Sequence, residues 1–241
     1  MAIIGKFNTD ADALSKRIQA HDKYGSNDLN RWIFDNLNII NGVSILDLGC
    51  GTGKQTIPIA KAVGKTGHIL SIDLSHEALE VLQQEAVESG LDKRINTLCC
   101  GHDDIHKHLR ENTYDRVVSS YSLYYSENPE KVIKTIWDSL KSKGVLFFCG
   151  PSKDNNRELK TLHYGLMGKP IPPETGAAAF MEDIGQRVAR QFFRKVEIVL
   201  FENPLRFDSA KSLYTYWSSY NLYDEKNAAE EWKERRFVFY Q

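Results

Sequence analysis

Three glycines at alternate positions, Gly49, Gly51 and Gly53, with an acid two residues before the first, form the most chemically suggestive spacing in the chain. They lie in the run Ile45-Leu46-Asp47-Leu48-Gly49-Cys50-Gly51-Thr52-Gly53, where an apolar stretch enters a turn. Glycine lets a backbone turn tightly and lets a ligand approach where a Cβ would collide. The G-x-G-x-G spacing departs from the G-x-G-x-x-G of dinucleotide folds, whose loop rests a pyrophosphate on a helix N-terminus. Asp47, at the lip of the loop, would repel such an anion and suits a cationic ligand. A second acid, Asp73, ends the run Ile69-Leu70-Ser71-Ile72, where a carboxylate in sheets of this kind hydrogen-bonds ribose hydroxyls. A third falls in Gly101-His102-Asp103-Asp104-Ile105, placed to take the amino group of an adenine. Each acid alone reads as a helix-capping Asp in a βα loop. Together with the glycine loop they read as a ligand strip.

Such a strip needs a sheet whose strands end side by side. From position 43 onward, short β-rich runs alternate with amphipathic helical segments, the pattern of a parallel α/β sheet. Strands are expected over 43–48, 68–73, 95–100, 114–120, 144–149 and 196–202. A helix near 55–63 contains Pro58, which predicts a kink or a late start. Ser75 caps the next helix, whose Ala78, Leu79, Leu82 and Ala86 share one face and which Gly90 closes. Asn128-Pro129 opens another, with Val132, Ile133, Ile136, Trp137 and Leu140 inward. The segment 151–173 looks like a crossover insertion, 174–190 and 209–220 like helices, and 227–236 favours helix by composition. Before the sheet, Leu29, Trp32, Ile33 and Leu37 mark a helix over 28–37.

These motifs together resemble the class I S-adenosylmethionine-dependent methyltransferases. The ILDLGCGTG stretch is similar to their first motif and Asp73 to their ribose-binding acid. Tyr114–Tyr121 resembles their fourth strand, and Leu140-Lys141-Ser142-Lys143-Gly144-Val145-Leu146 their turn into the fifth. The likeness covers about residues 43–150, with weaker support around 192–207. It implies an α/β fold, Rossmann-like and doubly wound, with a mainly parallel sheet of seven strands (or six), helices on both faces and an N-terminal helical lid. It implies one domain over 1–241: the lid at 1–42, a cofactor-binding core at 43–150, a substrate-side insertion and helix at 151–190, and a C-terminal strand and aromatic helical segment at 191–241. The seventh strand has a short candidate in 235–241. The cofactor implied is S-adenosyl-L-methionine, leaving as S-adenosyl-L-homocysteine. Gly49, Cys50 and Gly51 would run beneath its methionine moiety, with Asp47 near the amino group and Gly53 also in the cofactor-binding loop. Asp73 and Leu74 would take the ribose side, and His102, Asp103, Asp104 and Ile105 the adenine, register deciding between the two acids. Ser120 or Tyr121 would close the site from the fourth strand. Tyr24, in His21-Asp22-Lys23-Tyr24-Gly25, is the lid residue placed against the cofactor.

The acceptor is less marked. Methyl transfer from a sulfonium is an in-line displacement, and positioning and desolvation can supply most of its catalysis. Tyr121, as an orienting hydroxyl, and His163, as a base for an oxygen acceptor, are the candidate catalytic residues. Tyr121, Tyr124 and Tyr125 read equally as core packing, as do Tyr214, Tyr216, Trp217, Tyr220 and Tyr223. The fourth strand ends in Ser-Ser-Tyr-Ser, without the Asn/Asp-Pro-Pro-Tyr clamp of amino-methylating enzymes, and no Pro-Cys follows it. Cys149 reads as a packed strand residue. Four scattered cysteines, none in a C-x-x-C pair, argue against a disulfide framework or a structural zinc, so no metal is expected. Lys+Arg (31) nearly equals Asp+Glu (32), which excludes a global field for polyanions. Arg187, Arg190 and Arg194 make one local basic stripe, ordinarily a solvated face. No run approaches the roughly 18 apolar residues of a membrane span, and the N-terminus lacks a secretory layout, so a cytoplasmic protein is expected. The expected function is methyl transfer to an oxygen or nitrogen of a small molecule, with neither nucleic acid nor membrane as partner. The alternatives are an RNA or protein methyltransferase, or a non-catalytic S-adenosylmethionine-binding module.

Overall fold

The computed structural model describes residues 11–174, 176–220 and 223, which fall into two compact units. The first holds Leu29–Ser152 and residues 176–199, and its centre is a sheet of five parallel strands. These are β1 (Ser44–Leu48), β2 (His68–Asp73), β3 (Ile95–Cys99), β4 (Tyr114–Ser120) and β5 (Leu140–Cys149), in the order β3-β2-β1-β4-β5. Strands covered on both faces read as continuous apolar runs rather than alternating ones. In β1, Ile45 packs in one core with Ile69 and Val118, while Leu46 and Leu48 pack in the other with Ile72 and Val117. The first core takes in α2 (Leu29–Leu37), α3 (Thr56–Ala62) and α4 (His76–Glu88) through Ile33, Ile59 and Leu82. The second takes in α5 (Pro129–Ser139) through Ile133 and Ile136. Strand order reverses beside β1, and open α/β sheets bind ligands at the carboxyl ends of strands at such a point.

Local signals set the helix starts. Ser75 Oγ accepts from Ala78 N at 3.1 Å, and Gly90, at φ +66°, follows the end of α4. Asn128 Oδ1 accepts from Lys131 N at 3.0 Å, with Pro129 as the first residue of α5. Pro58 falls in the first turn of α3, where its missing N–H has no intrahelical partner to lose.

Two expectations change. The described sheet has five strands rather than seven or six: residues 196–202 are irregular, with Ile198 and Val199 54% and 53% exposed. A strand needs a ladder partner, and apolar residues alone do not supply one. The candidate seventh strand at 235–241 and the helix at 227–236 lie outside the described residues. The single helix expected over 174–190 is instead α7 (Gly176–Ala179), a π-helical stretch Phe180–Gly185 and α8 (Gln186–Phe192). Gly185 ends the wide turn against the Phe148 ring, where an added Cβ would lie 3.0 Å from Cε2.

The second unit contains α1 (Ala11–Tyr24), α6 (Arg157–Leu166) and α9 (Ala210–Trp217). Its core centres on Trp217, packed by Leu159, Leu166, Met167 and neighbouring tyrosines. The Tyr216 hydroxyl meets Asn156 Oδ1 and the Tyr220 hydroxyl at 3.0 Å each. Lys160, buried, pairs with Glu174. No helix among the described residues is long and apolar enough to cross a membrane.

Candidate cofactor-binding site

The glycine loop leaves β1 at the carboxyl edge of the sheet, and β2 holds it there. The N–H groups of Gly49 and Cys50 donate to Ile72 O at 2.7 and 3.1 Å, and Gly51 N–H donates to Asp73 Oδ2 at 2.7 Å. All three glycines have positive φ, +77°, +52° and +91°, but for different reasons. A Cβ on Gly49 would collide with Ser122 Oγ, and one on Gly53 with Leu82 Cδ1 of α4. At Gly51 a Cβ would meet nothing within 4 Å. The first and third glycines serve the protein's own packing; the middle one faces open space.

Asp47 is only 2% exposed, and its Oδ2 accepts from Thr56 Oγ1 of α3 at 2.6 Å. Burial pushes its carboxyl up to about 6, with the Thr56 hydrogen bond opposing and the Asp73 charge adding to the rise. Asp73 also accepts from Ser75 N on Oδ1 at 2.9 Å. A carboxylate has about four acceptor positions, so two amide donors leave Asp73 room for hydroxyls.

The ends of β3 and β4 complete the edge. His102 Nε2 lies 2.9 Å from Ser122 Oγ, and burial lowers its pKa from the ordinary histidine value. Asp103 takes the N–H groups of Glu127 (2.9 Å) and Asn128 (2.8 Å) at the start of α5. Asp104 is exposed and pairs with Lys107 at 2.6 Å. Ile105 is buried in the second core, whereas Leu74 is 58% exposed beside Gly101. Ser120 ends β4, and Tyr121 follows it at φ +55°, its N–H donating to Cys149 O at 2.9 Å. A bulky residue in that region is strained, and such strain concentrates at functional sites. Tyr121 is 41% exposed, so the strain turns an aromatic ring outward at the strand end. Tyr124 packs on Tyr125 and Phe180 at ring distances of 4.7 and 6.4 Å, and burial raises its hydroxyl's pKa. Burial also raises the Cys149 thiol to about 11 and the Cys50 thiol higher still, so neither is a ready nucleophile.

Tyr24 and His163 belong to the second unit. The Tyr24 ring lies 4.9 Å from Phe207 with Lys23 Nζ 4.7 Å above it. His163 is wholly buried among the rings of Tyr164, Trp217 and Tyr223, at 5.2 to 5.4 Å. Thr56 and Ser122 touch the site without having been singled out by sequence. Thr56 carried one weak signal, a hydroxyl in the helical turn after the loop; Ser122 carried none, because its contacts are made across strands.

The residues present fit a sulfonium nucleoside: Asp47 and Asp73 offer acids to a cation and to hydroxyls, Gly51 offers space, and Leu74 offers an apolar face. A family model described as a methyltransferase domain matches residues 39–197. A demethylmenaquinone methyltransferase of Lactobacillus johnsonii is 30% identical over 134 residues, 54% of each chain. A ubiquinone/menaquinone biosynthesis C-methyltransferase of Haemophilus ducreyi is 29% identical over 149 residues, 61% of this chain and 55% of that one. The chain thus spans about half the length of the curated relatives it matches. Among solved structures, a chain of the Haloferax volcanii complex containing a methyltransferase activator shares the fold. It has a TM-score of 0.53 at 16% identity over 76% of this chain and 72% of that one.

Proposed function

The chain belongs to the class I S-adenosylmethionine-dependent methyltransferase family, and from that premise we propose that it transfers a methyl group from S-adenosylmethionine to a small-molecule acceptor. The observation that carries this reading is the edge shared by β1 and β2: a glycine loop tied to Asp73, with open space at Gly51 and Asp47 buried beneath. When bound, S-adenosylmethionine supplies an electrophilic methyl on a sulfonium, displaced in line to leave S-adenosylhomocysteine. The protein's own part is positioning. Asp73, fixed by the Gly51 and Ser75 amides, hydrogen-bonds the ribose hydroxyls. Asp47 offers its carboxylate to the amino group, whose positive charge favours the ionised form that burial resists. Leu74 covers apolar surface, and Tyr121 presents its ring at the end of β4. His163 is enclosed by three aromatic rings and takes no part in the proposed transfer.

The acceptor atom has two readings. Oxygen or nitrogen is the sequence reading, in which the missing Pro-Cys after β4 removes only a cysteine-assisted route to carbon and the missing Asn/Asp-Pro-Pro-Tyr clamp weighs against nitrogen. Carbon is favoured by the Haemophilus ducreyi relative, which is titled a C-methyltransferase. Incubation with methyl-labelled cofactor and a panel of reduced quinones, catechols and amines decides between them, the product's linkage being read by mass spectrometry. Label in RNA or protein would overturn the small-molecule acceptor. Cofactor binding without turnover on any acceptor would leave a binding module in place of the enzyme.

A further inference from the structure

Within the second unit the end of α1 is strapped to residues 202–206, with a histidine beside the strap. Ser26 N–H donates to Pro204 O at 3.2 Å, Arg206 N–H to Tyr24 O at 2.9 Å, and Asn27 Nδ2 to Glu202 O at 2.8 Å. Gly25 and Leu205 form an antiparallel bridge. A Cβ on Gly25 would collide with His21 O and lie 2.8 Å from Asn203 Nδ2, so the Asn203 amide needs a glycine there. That amide has one orientation. A backbone N–H only donates, so Asn27 N–H, 2.9 Å from Asn203 Oδ1, turns Nδ2 toward His21 Nδ1 at 3.4 Å. An amide nitrogen also only donates, so Nδ1 is bare and the His21 proton is on Nε2. Nε2 faces the Tyr216 hydroxyl at 3.4 Å, whose own proton goes to Asn156 Oδ1 at 3.0 Å. Both contacts of the ring are long, so what counts is what a second proton would meet. It would set an N–H against the Asn203 amide, and flipping the ring is no escape, because both nitrogens of an imidazolium donate.

We propose that His21 is a pH-operated latch: neutral, it lets residues 24–27 close on 202–206, and protonated, it releases them. The groups facing the ring are Asn203 from the strap, the Tyr216 hydroxyl of α9 with Tyr220 bonded to it, and Asp22 on its own helix. Of the other charges in these segments, Arg17 stands over the Tyr220 ring and Lys23 pairs with Asp208 at 3.6 Å. Asp22 favours the imidazolium, but burial outweighs it and lowers the His21 pKa below the ordinary 6.5. The closed strap therefore binds a proton more weakly than the open one. Closure is fully favoured above about pH 6.5 and weakens as the pH falls below it. Tyr24, whose ring lies against Phe207, is carried by the strap.

Amide hydrogen exchange on the full chain tests this, read at Ser26, Asn27 and Arg206 as protection factors, which remove the intrinsic pH dependence of exchange. In the wild type these should fall by roughly threefold to tenfold between about pH 7.5 and pH 5.5, tenfold being the limit one unit below an ordinary histidine. His21→Gln keeps an acceptor for the Asn203 amide and takes no proton, so its protection should be flat over that range. Asn203→Asp still accepts from Asn27 but turns a carboxylate oxygen toward Nδ1. It should raise the His21 pKa by about one unit or more, read from nitrogen-15 shifts, and hold the protection at about pH 5.5. Wild-type protection flat with pH overturns the proposal, as does a fall in His21→Gln as steep as the wild type's. Should His21→Gln fail to fold, Asn203→Asp decides: an unchanged His21 pKa, or protection still lost at the lower pH, overturns the latch.

Discussion

Asp47 is a carboxylate where ionisation is costly. Burial lifts its pKa to about 6, above its unfolded value near 3.8, so the fold binds a proton there more tightly than the unfolded chain does. The stability this contributes is fully present below about pH 3.8 and is lost as the pH rises through about 6. Asp47→Asn stays neutral and still accepts from Thr56. Its urea midpoint, compared with the wild type's, should therefore improve between about pH 4 and pH 8 by on the order of 3 kcal/mol. An unchanged difference across that range would show that Asp47 is solvated. The glycines give a second residue-level expectation. Gly53→Ala drives a Cβ into Leu82 at φ +91° and should cost roughly 2–3 kcal/mol. Gly51→Ala meets no atom and should cost only the roughly 1 kcal/mol of its left-handed backbone, while weakening S-adenosylhomocysteine binding several-fold by calorimetry. Equal destabilisation with intact binding would remove Gly51 from the ligand site. Spacing showed that these glycines matter but not why each does, because Leu82 and Ser122 come to them from distant parts of the chain.

Among the elements, α5 shows a loop acid that ties down the start of a helix. Asp103 holds the amides of Glu127 and of Asn128, the α5 N-cap, so Asp103→Ala should lower the melting temperature through a loss of about 1–2 kcal/mol. A melting temperature equal to the wild type's would show these contacts to be idle. The sequence carried α5 and α4 well because their signals are local: Asn128-Pro129 and Ser75 at the starts, Gly90 after α4. β1 to β5 were also readable, since strands buried on both faces leave continuous apolar runs. Residues 196–202 looked the same by composition, yet a ladder partner is a property of the sheet and not of the segment. The π-helical stretch Phe180–Gly185 was hidden for a similar reason, its end being set against Phe148 of β5. In the site, the acids and glycines were legible as residue types. The Thr56 and Ser122 contributions were not, being a cross-element hydrogen bond and a contact between strand ends, and Tyr121 was legible as a residue but not in its positive φ.

At the scale of the whole molecule, the charge balance bears on the choice between a small acceptor and a polyanion. With 31 basic and 32 acidic residues there is no net field to gather nucleic acid, so RNA binding would have to rest on a local patch. The candidate is Arg187, Arg190 and Arg194, and the fold breaks it. α8 ends at Phe192 and Phe193 is extended, so only Arg187 and Arg190 share the helix, while Arg194 lies beyond its end. Each neutralised phosphate of a single strand contributes a slope of about −0.7 in log affinity against log salt, so two arginines supply about −1.4. Fluorescence anisotropy with a labelled single-stranded RNA should therefore show weak binding with a slope no steeper than about −2. A slope of about −4 or steeper would require about six phosphate contacts. The patch would then extend beyond the two helical arginines, and RNA would displace the small molecule as the expected acceptor.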